Sequence, residues 1–262
     1  MAKQLRAEQT RTTIIEAAAQ MFDRQGFGST SLSDIVARGG ITKGALYFHF
    51  ASKEALARAV IARQHELSVN AAQRLLARGL PGLETVLRTP FLLAEQVLTD
   101  PVARAGVRLT LEGGTLRNPV DGPYEEWTGV LAEQLRRGVR ELDVRPAVDP
   151  DACARFVLSA FTGVQTVAQV LESPGHLPVR LQEMWEVLIP GLALPRRCAH
   201  HRDLAARLAD RLARSAAVAG AAPVPAPVPS PAPWPTTAPV PAPVPSPAPW
   251  PTTAPVAVGG PV

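Results

Sequence analysis

The chain has 262 residues, with 27 lysines and arginines, 23 aspartates and glutamates, a net charge of +4 and 27 prolines. Two cysteines, Cys153 and Cys198, cannot build a disulfide scaffold, and a hydrophobic share of 46% is too high for a disordered chain. The averages hide a division: residues 221–262 hold 16 of the prolines and no charge, so the foldable unit is residues 1–220.

The opening, MAKQLRAEQTR, runs into charged residues without the apolar stretch of a signal peptide. Ile14, Ala18, Met21 and Phe22 then share one helix face, and Gly26 ends that helix. Ser31-Leu-Ser-Asp34 matches a capping box and opens a short helix that ends at Gly39-Gly40. Ile41-Thr42 opens another, through Phe48. Ser52 caps a long helix with Leu56, Val60, Ile61, Leu67 and Ala71 on its apolar side. Later starts are marked by proline in the first turn, at Pro90, Pro101, Pro123, Pro150 and Pro178, where its missing N–H costs nothing. The longest charge-free run before the tail, Phe156 to Leu171, has 16 residues and contains Ser159, Thr162, Gln165 and Gln169. A membrane span needs ~20 mostly apolar residues, so this run reads as a buried helix and the expected location is the cytoplasm. The fold class is all-α, with nine or ten helices. A last helix, about 198–218, carries Arg202, Arg207, Arg211 and Arg214, a solvated basic face.

The tail is a duplication: residues 222–237 read APVPAPVPSPAPWPTT, and residues 238–253 repeat them unchanged. Proline at every second position excludes helix and central strand, leaving an extended chain. It serves as a spacer, or as a proline-recognition ligand anchored on Trp234 and Trp250.

Function concentrates in residues 31–53, SLSDIVARGGITKGALYFHFASK, where two short helices and a glycine turn have helix-turn-helix spacing. A helix entering the major groove needs a slim surface, which Gly44 and Ala45 supply. It needs a long donor for guanine O6/N7, and Lys43 fits. Thr42, Tyr47, His49 and Lys53 suit phosphates at the edges, helped by the free amides of the helix start. Leu46, Phe48 and Phe50 are expected to face inward. Lys3, Arg6 and Arg11 form a basic arm, and residues 1–70 carry a net +3.

The string Ile15, Ala18-Ala19, Phe22, Gly26, Thr30, Ile35, Gly40-Ile-Thr-Lys-Gly-Ala-Leu-Tyr-Phe-His-Phe50 and Ser52-Lys-Glu54 resembles the N-terminal domain of the tetracycline-repressor (TetR) family. Within it, MAKQLRAEQTR and TKGALYFHFASKE look most like the γ-butyrolactone autoregulator receptors. Weaker support comes from Arg104-Ala-Gly-Val-Arg-Leu109, Glu126-Trp127, Phe161-Thr-Gly163 and Glu183-Met-Trp185. The resemblance spans roughly residues 3–210.

It implies a homodimeric repressor of secondary metabolism with a helix-turn-helix DNA-binding domain (1–52) and a helical ligand-binding and dimerisation domain (53–220); the Pro-rich tail (221–262), read from composition, lies outside it. Such a repressor binds a palindromic double-stranded operator and is released by a small γ-butyrolactone-type effector. A relative answering to an antibiotic or biosynthetic intermediate, and a constitutive DNA-binding regulator, are the alternatives. The resemblance also implies that Gln64, Trp127 and Thr162 hold the ligand. A tryptophan wall suits an apolar tail, and Gln and Thr suit a lactone or hydroxyl. Gln165 and Gln169 read as interface or capping groups. Gln64 lies on the long helix from Ser52, which could act as a lever between ligand and DNA. Phe156, Val157, Phe161, Val164, Val167, Trp185, Leu188 and Ile189 exceed one small core, which suggests a four-helix interface with a second copy. No GxSxG, P-loop, HExxH or paired CxxC is present, which argues against an enzyme.

Overall fold

The computed structural model describes residues 2–112, 122–171 and 174–219. The proline tail with Trp234 and Trp250 lies outside them, as do the side chains of Lys3 and Gln169.

Ten α-helices account for nearly all the described residues: α1 Ala2–Ser29, α2 Leu32–Gly39, α3 Lys43–His49, α4 Lys53–Leu76, α5 Gly82–Thr99, α6 Pro101–Leu111, α7 Gly122–Arg140, α8 Pro150–Leu171, α9 Leu177–Leu192 and α10 Pro195–Ala219. The all-α class therefore holds. Gly26, at φ 74°, breaks the helical path of α1 before one further turn. Ser31 and Asp34 form the reciprocal capping box of α2, and Gly40 closes that helix in the left-handed conformation at φ 59°, where a Cβ would be penalised. Thr42 and Ser52 cap α3 and α4 through their hydroxyls. Pro101, Pro123, Pro150 and Pro178 lie in first turns.

Pro90 departs from expectation. It sits in the interior of α5, which starts at Gly82. Residues 83–89 are already apolar and buried on one face, and that burial carries the helix through the missing N–H. The last helix also starts at Pro195 rather than near residue 198.

Two cores form. In the first, Ile14, Ala18 and Phe22 of α1 meet Ile35, Leu46, Phe50, Leu56 and Val60, all buried. Val102, Ala105 and Leu109 of α6 join the same core. In the second, Leu83 and Leu87 of α5 pack with Leu135, Val157, Leu181, Trp185, Ile189 and Leu204 from α7 to α10. Burying each such side chain contributes roughly 1.5–3 kcal/mol. Val157, Phe161, Trp185 and Ile189 thus fit within the core of one protomer. Among the described residues, the large apolar side chains exposed on α8 and α9 are Phe156, Val167, Val179 and Val187.

The loop after α7 is fastened to the start of α10. Asp143 Oδ1 accepts from Arg197 Nε at 2.7 Å and lies 3.0 Å from His201 Nε2. Asp143 and His201 are both buried. Burial by itself raises the Asp143 pKa, but the hydrogen bonds and charges of Arg197 and His201 outweigh it and hold the carboxyl below its ordinary value. Burial pushes the Cys153 thiol up to about 11, leaving it protonated and unreactive near neutral pH.

Candidate functional site

The α3 surface is built from caps and sparse side chains. Thr42 Oγ1 accepts from Ala45 N at 3.1 Å, so this hydroxyl is both cap and surface group. Lys43 and Gly44 are exposed, and no atom comes within 4 Å of a Cβ added at Gly44 except Thr42 Oγ1 at that limit. Tyr47 is 59% exposed and His49 half-buried. Leu46 and Phe50 face the core, but Phe48 does not: it is 81% exposed, edge-on to His49. Two residues advance a helix by about 200°, so Phe48 must lie opposite the Leu46–Phe50 stripe. An exposed phenylalanine beside Tyr47 gives this face an apolar contact that residue type alone did not reveal.

Lys53 sits differently from Lys43. Its ammonium donates to Phe27 O at 2.8 Å and Thr30 O at 2.9 Å, and lies 4.4 Å from the centre of the Phe27 ring. It caps the carbonyl end of α1. Arg6 and Arg11 are exposed along α1, with Arg11 also over the Phe50 ring at 5.5 Å.

A second site lies between α4, α5, α6, α7 and α8. Ile61, Gln64, His65 and Ser68 of α4 fall at i, i+3, i+4 and i+7, as do Leu158, Phe161, Thr162 and Gln165 of α8, so each helix turns one stripe to a shared cavity. Trp127 and Tyr124 of α7 cover it. Gln64, Trp127 and Thr162 therefore meet in one cavity of about 90 Å³. That volume is far below the ~300 Å³ of a typical ligand site. Gln165, read from sequence as an interface or capping group, also lines it, buried to 7% exposure. Its spacing from Thr162, i+3 on α8, was the available signal.

The polar wall is wired. Gln64 Nε2 donates to Ser68 Oγ at 2.9 Å, Ser68 donates to Gln96 Oε1 at 2.9 Å, and Gln96 Nε2 donates to Leu67 O at 3.1 Å. Thr162 Oγ1 donates to Leu158 O within its own helix at 3.0 Å. At the rim His65 Nε2 lies 2.9 Å from Glu126 Oε2, joining α4 to α7. Desolvation raises the Tyr124 pKa, keeping that hydroxyl protonated.

The cavity shares α6 with the N-terminal core. Ala103, Val107 and Thr110 face the cavity, while Val102, Ala105 and Leu109 face the other way. Arg104 Nε pairs with Asp23 Oδ2 at 3.0 Å, Arg108 Nη1 donates to Asp23 O at 2.8 Å, and Phe27 N donates to Glu112 Oε2 at 3.2 Å. The end of α1 is thus tied to one face of α6. Gly106 lets α6 and α4 touch: a Cβ there would run into Gln64 Cβ and Cγ.

Residues 14–60 match the family described as bacterial regulatory proteins, tetR family, and residues 80–194 match the tetracyclin repressor-like C-terminal domain. The A-factor receptor protein of Streptomyces griseus is 37% identical over 212 residues, 79% of this chain and 74% of that protein. The chain belongs to the tetR family. Among solved structures, a gamma-butyrolactone receptor (ArpA-like protein) is 43% identical with a TM-score of 0.68, over 79% of this chain and 99% of that one. CprB from Streptomyces coelicolor, in complex with its biological operator sequence, is 45% identical with a TM-score of 0.68, over 78% and 98%. This tetR-family chain is accordingly a transcriptional regulator and not an enzyme. Among its described residues no helix is long and apolar enough to cross a membrane.

Proposed function

We infer that the chain is a dimeric, ligand-responsive repressor that binds a palindromic operator and is released by a small signalling molecule of γ-butyrolactone type. Residues 1–52 form the DNA-reading head, residues 53–220 sense the effector and dimerise, and the cytoplasm is where it acts. The observation that carries this reading is the cavity of Gln64, Trp127 and Thr162, two walls of which, α4 and α6, continue into the core of the head. On the DNA side, Lys43 reads a base edge across the open surface at Gly44, and Thr42, Tyr47 and His49 meet phosphates. Lys53 adds charge at that edge while its ammonium holds the end of α1. The exposed side chains of α8 and α9, Phe156, Val167, Val179 and Val187, form the apolar part of the dimer face.

A guest that enlarges the cavity pushes on Gln64, which packs against Gly106 of α6. Because α6 is pinned to Asp23 and Phe27, α4 and α6 carry that displacement to the head. Release requires the ligand to bind the DNA-free state more tightly than the DNA-bound one. A gel shift with the protein's own upstream DNA tests the function: a 2-acyl-γ-butyrolactone should free the DNA, and failure of either binding or release counts against it. Gln64→Ala removes the amide that donates to Ser68 at the cavity and leaves the Ser68–Gln96 bond in place. Half-release should then need about tenfold more lactone, the loss of roughly one hydrogen bond, while operator affinity stays within about twofold. If operator affinity falls equally, the α4 lever is wrong.

A further inference from the structure

Among the fully buried side-chain polar atoms of the described cavity wall, one stands apart. The amides of Gln64 and Gln96 and the hydroxyls of Ser68, Thr110 and Thr162 all donate within the protein. Gln165 Nε2 is buried with no hydrogen-bond partner. An amide donor left unmade in a protein interior costs free energy that an apolar side chain of the same shape does not. The lining also contains no Lys, Arg, Asp or Glu among the described residues, so a charged guest would be desolvated without a counter-charge. Leu158 and Phe161 flank the amide on the same stripe of α8, and Ile61, Leu93, Val97 and Val107 complete an apolar wall.

We propose that Gln165 is the buried donor that receives a carbonyl oxygen of an uncharged, mostly apolar guest. The proposal rests on the reading of this cavity as the effector site and adds a residue and a chemical requirement to it. The guest must carry an acceptor at the depth of Gln165 and an apolar body against Leu158, Phe161 and Trp127. Gln165 is kept at a cost to the empty protein because the hydrogen bond is completed only when the guest arrives.

The test uses the full-length protein and a Gln165→Met variant, which keeps length and shape but removes the donor. The probes are 2-octanoyl-γ-butyrolactone and 2-octyl-γ-butyrolactone, which differ by the chain ketone, with binding followed by tryptophan fluorescence. In Gln165→Met, affinity for the octanoyl lactone should fall about tenfold, the loss of one buried hydrogen bond, while the ligand-free protein melts at or above the wild-type temperature. A fall for the octanoyl probe alone puts the chain ketone on Gln165. An equal fall for both probes puts the ring carbonyl there. Unchanged affinity for both overturns the proposal and leaves the cavity reading standing. A ligand-free variant that melts well below wild type also overturns it, because the amide then supports the fold. Failure of the wild-type protein to bind either lactone removes the lactone reading and the proposal together.

Discussion

Lys43→Ala is expected to lower discrimination between operator and random DNA by ~1–3 kcal/mol, the value of one bidentate contact to a guanine edge. That is a factor of roughly 5 to 150 at 25 °C, since 1.4 kcal/mol is tenfold. The physical basis is placement. Lys43 stands exposed in the first turn of α3, beside the open surface at Gly44. Its charge is a long donor with nothing in the protein to hold it back. Lys53→Ala should behave differently. It removes the ammonium from Phe27 O and Thr30 O and from the Phe27 ring. The expected result is a less stable head, by ~1–3 kcal/mol for charge-assisted bonds, and weaker binding to all DNA alike. Titrations on operator and random duplexes at several salt concentrations, with thermal melts of each variant, separate the two. Equal losses from Lys43→Ala on both duplexes would remove its role in base reading.

The second large effect is on stability. Asp143→Ala leaves the buried His201 ring without its partner and Arg197 without its counter-charge. Breaking a buried pair from one side costs about 3–5 kcal/mol, and the partial exposure of Arg197 brings the expectation to about 2–4 kcal/mol. For a domain of this size, that is a drop in Tm of roughly 5–15 °C, read at one fixed protein concentration because dimerisation contributes. The pH dependence has a definite sign. Asp143 titrates lower in the folded protein than in the unfolded chain, where a model aspartate titrates near ~3.9. Its contribution is complete above that unfolded value and disappears as pH falls through the lower folded one. The variant should therefore differ most from wild type at neutral pH and converge with it in acid. A gap that persists unchanged in acid would assign the loss to packing instead.

Local chemistry made much of this legible. The capping box at Ser31 and Asp34, the caps at Thr42 and Ser52, and the break at Gly26 depend on a few adjacent residues, so their side chains announce them. Pro90 and Phe48 show where adjacency fails. A proline suits a helix start, but whether a helix already exists before it depends on what buries Leu83, Val86 and Leu87, which are partners from α7 to α10. Three apolar residues at Leu46, Phe48 and Phe50 read alike in one dimension, and the rotation of a seven-residue helix separates them.

The candidate cavity divides the same way. Gln64, Trp127 and Thr162 came from resemblance, and each is individually unremarkable as a residue type. Gln165 carried the right spacing from Thr162, yet a glutamine on an apolar helix suits an interface as well as a cavity. The sequence by itself determined the helical class and the helix caps. These follow from local backbone chemistry and periodicity. Only the tertiary structure decided that Gln165 is buried without a partner, that Lys53 holds the end of α1 and that α6 faces both the cavity and the head. The reason is physical: each depends on which distant segment supplies the neighbouring atoms, and a periodic pattern shows that a face is covered without showing by what.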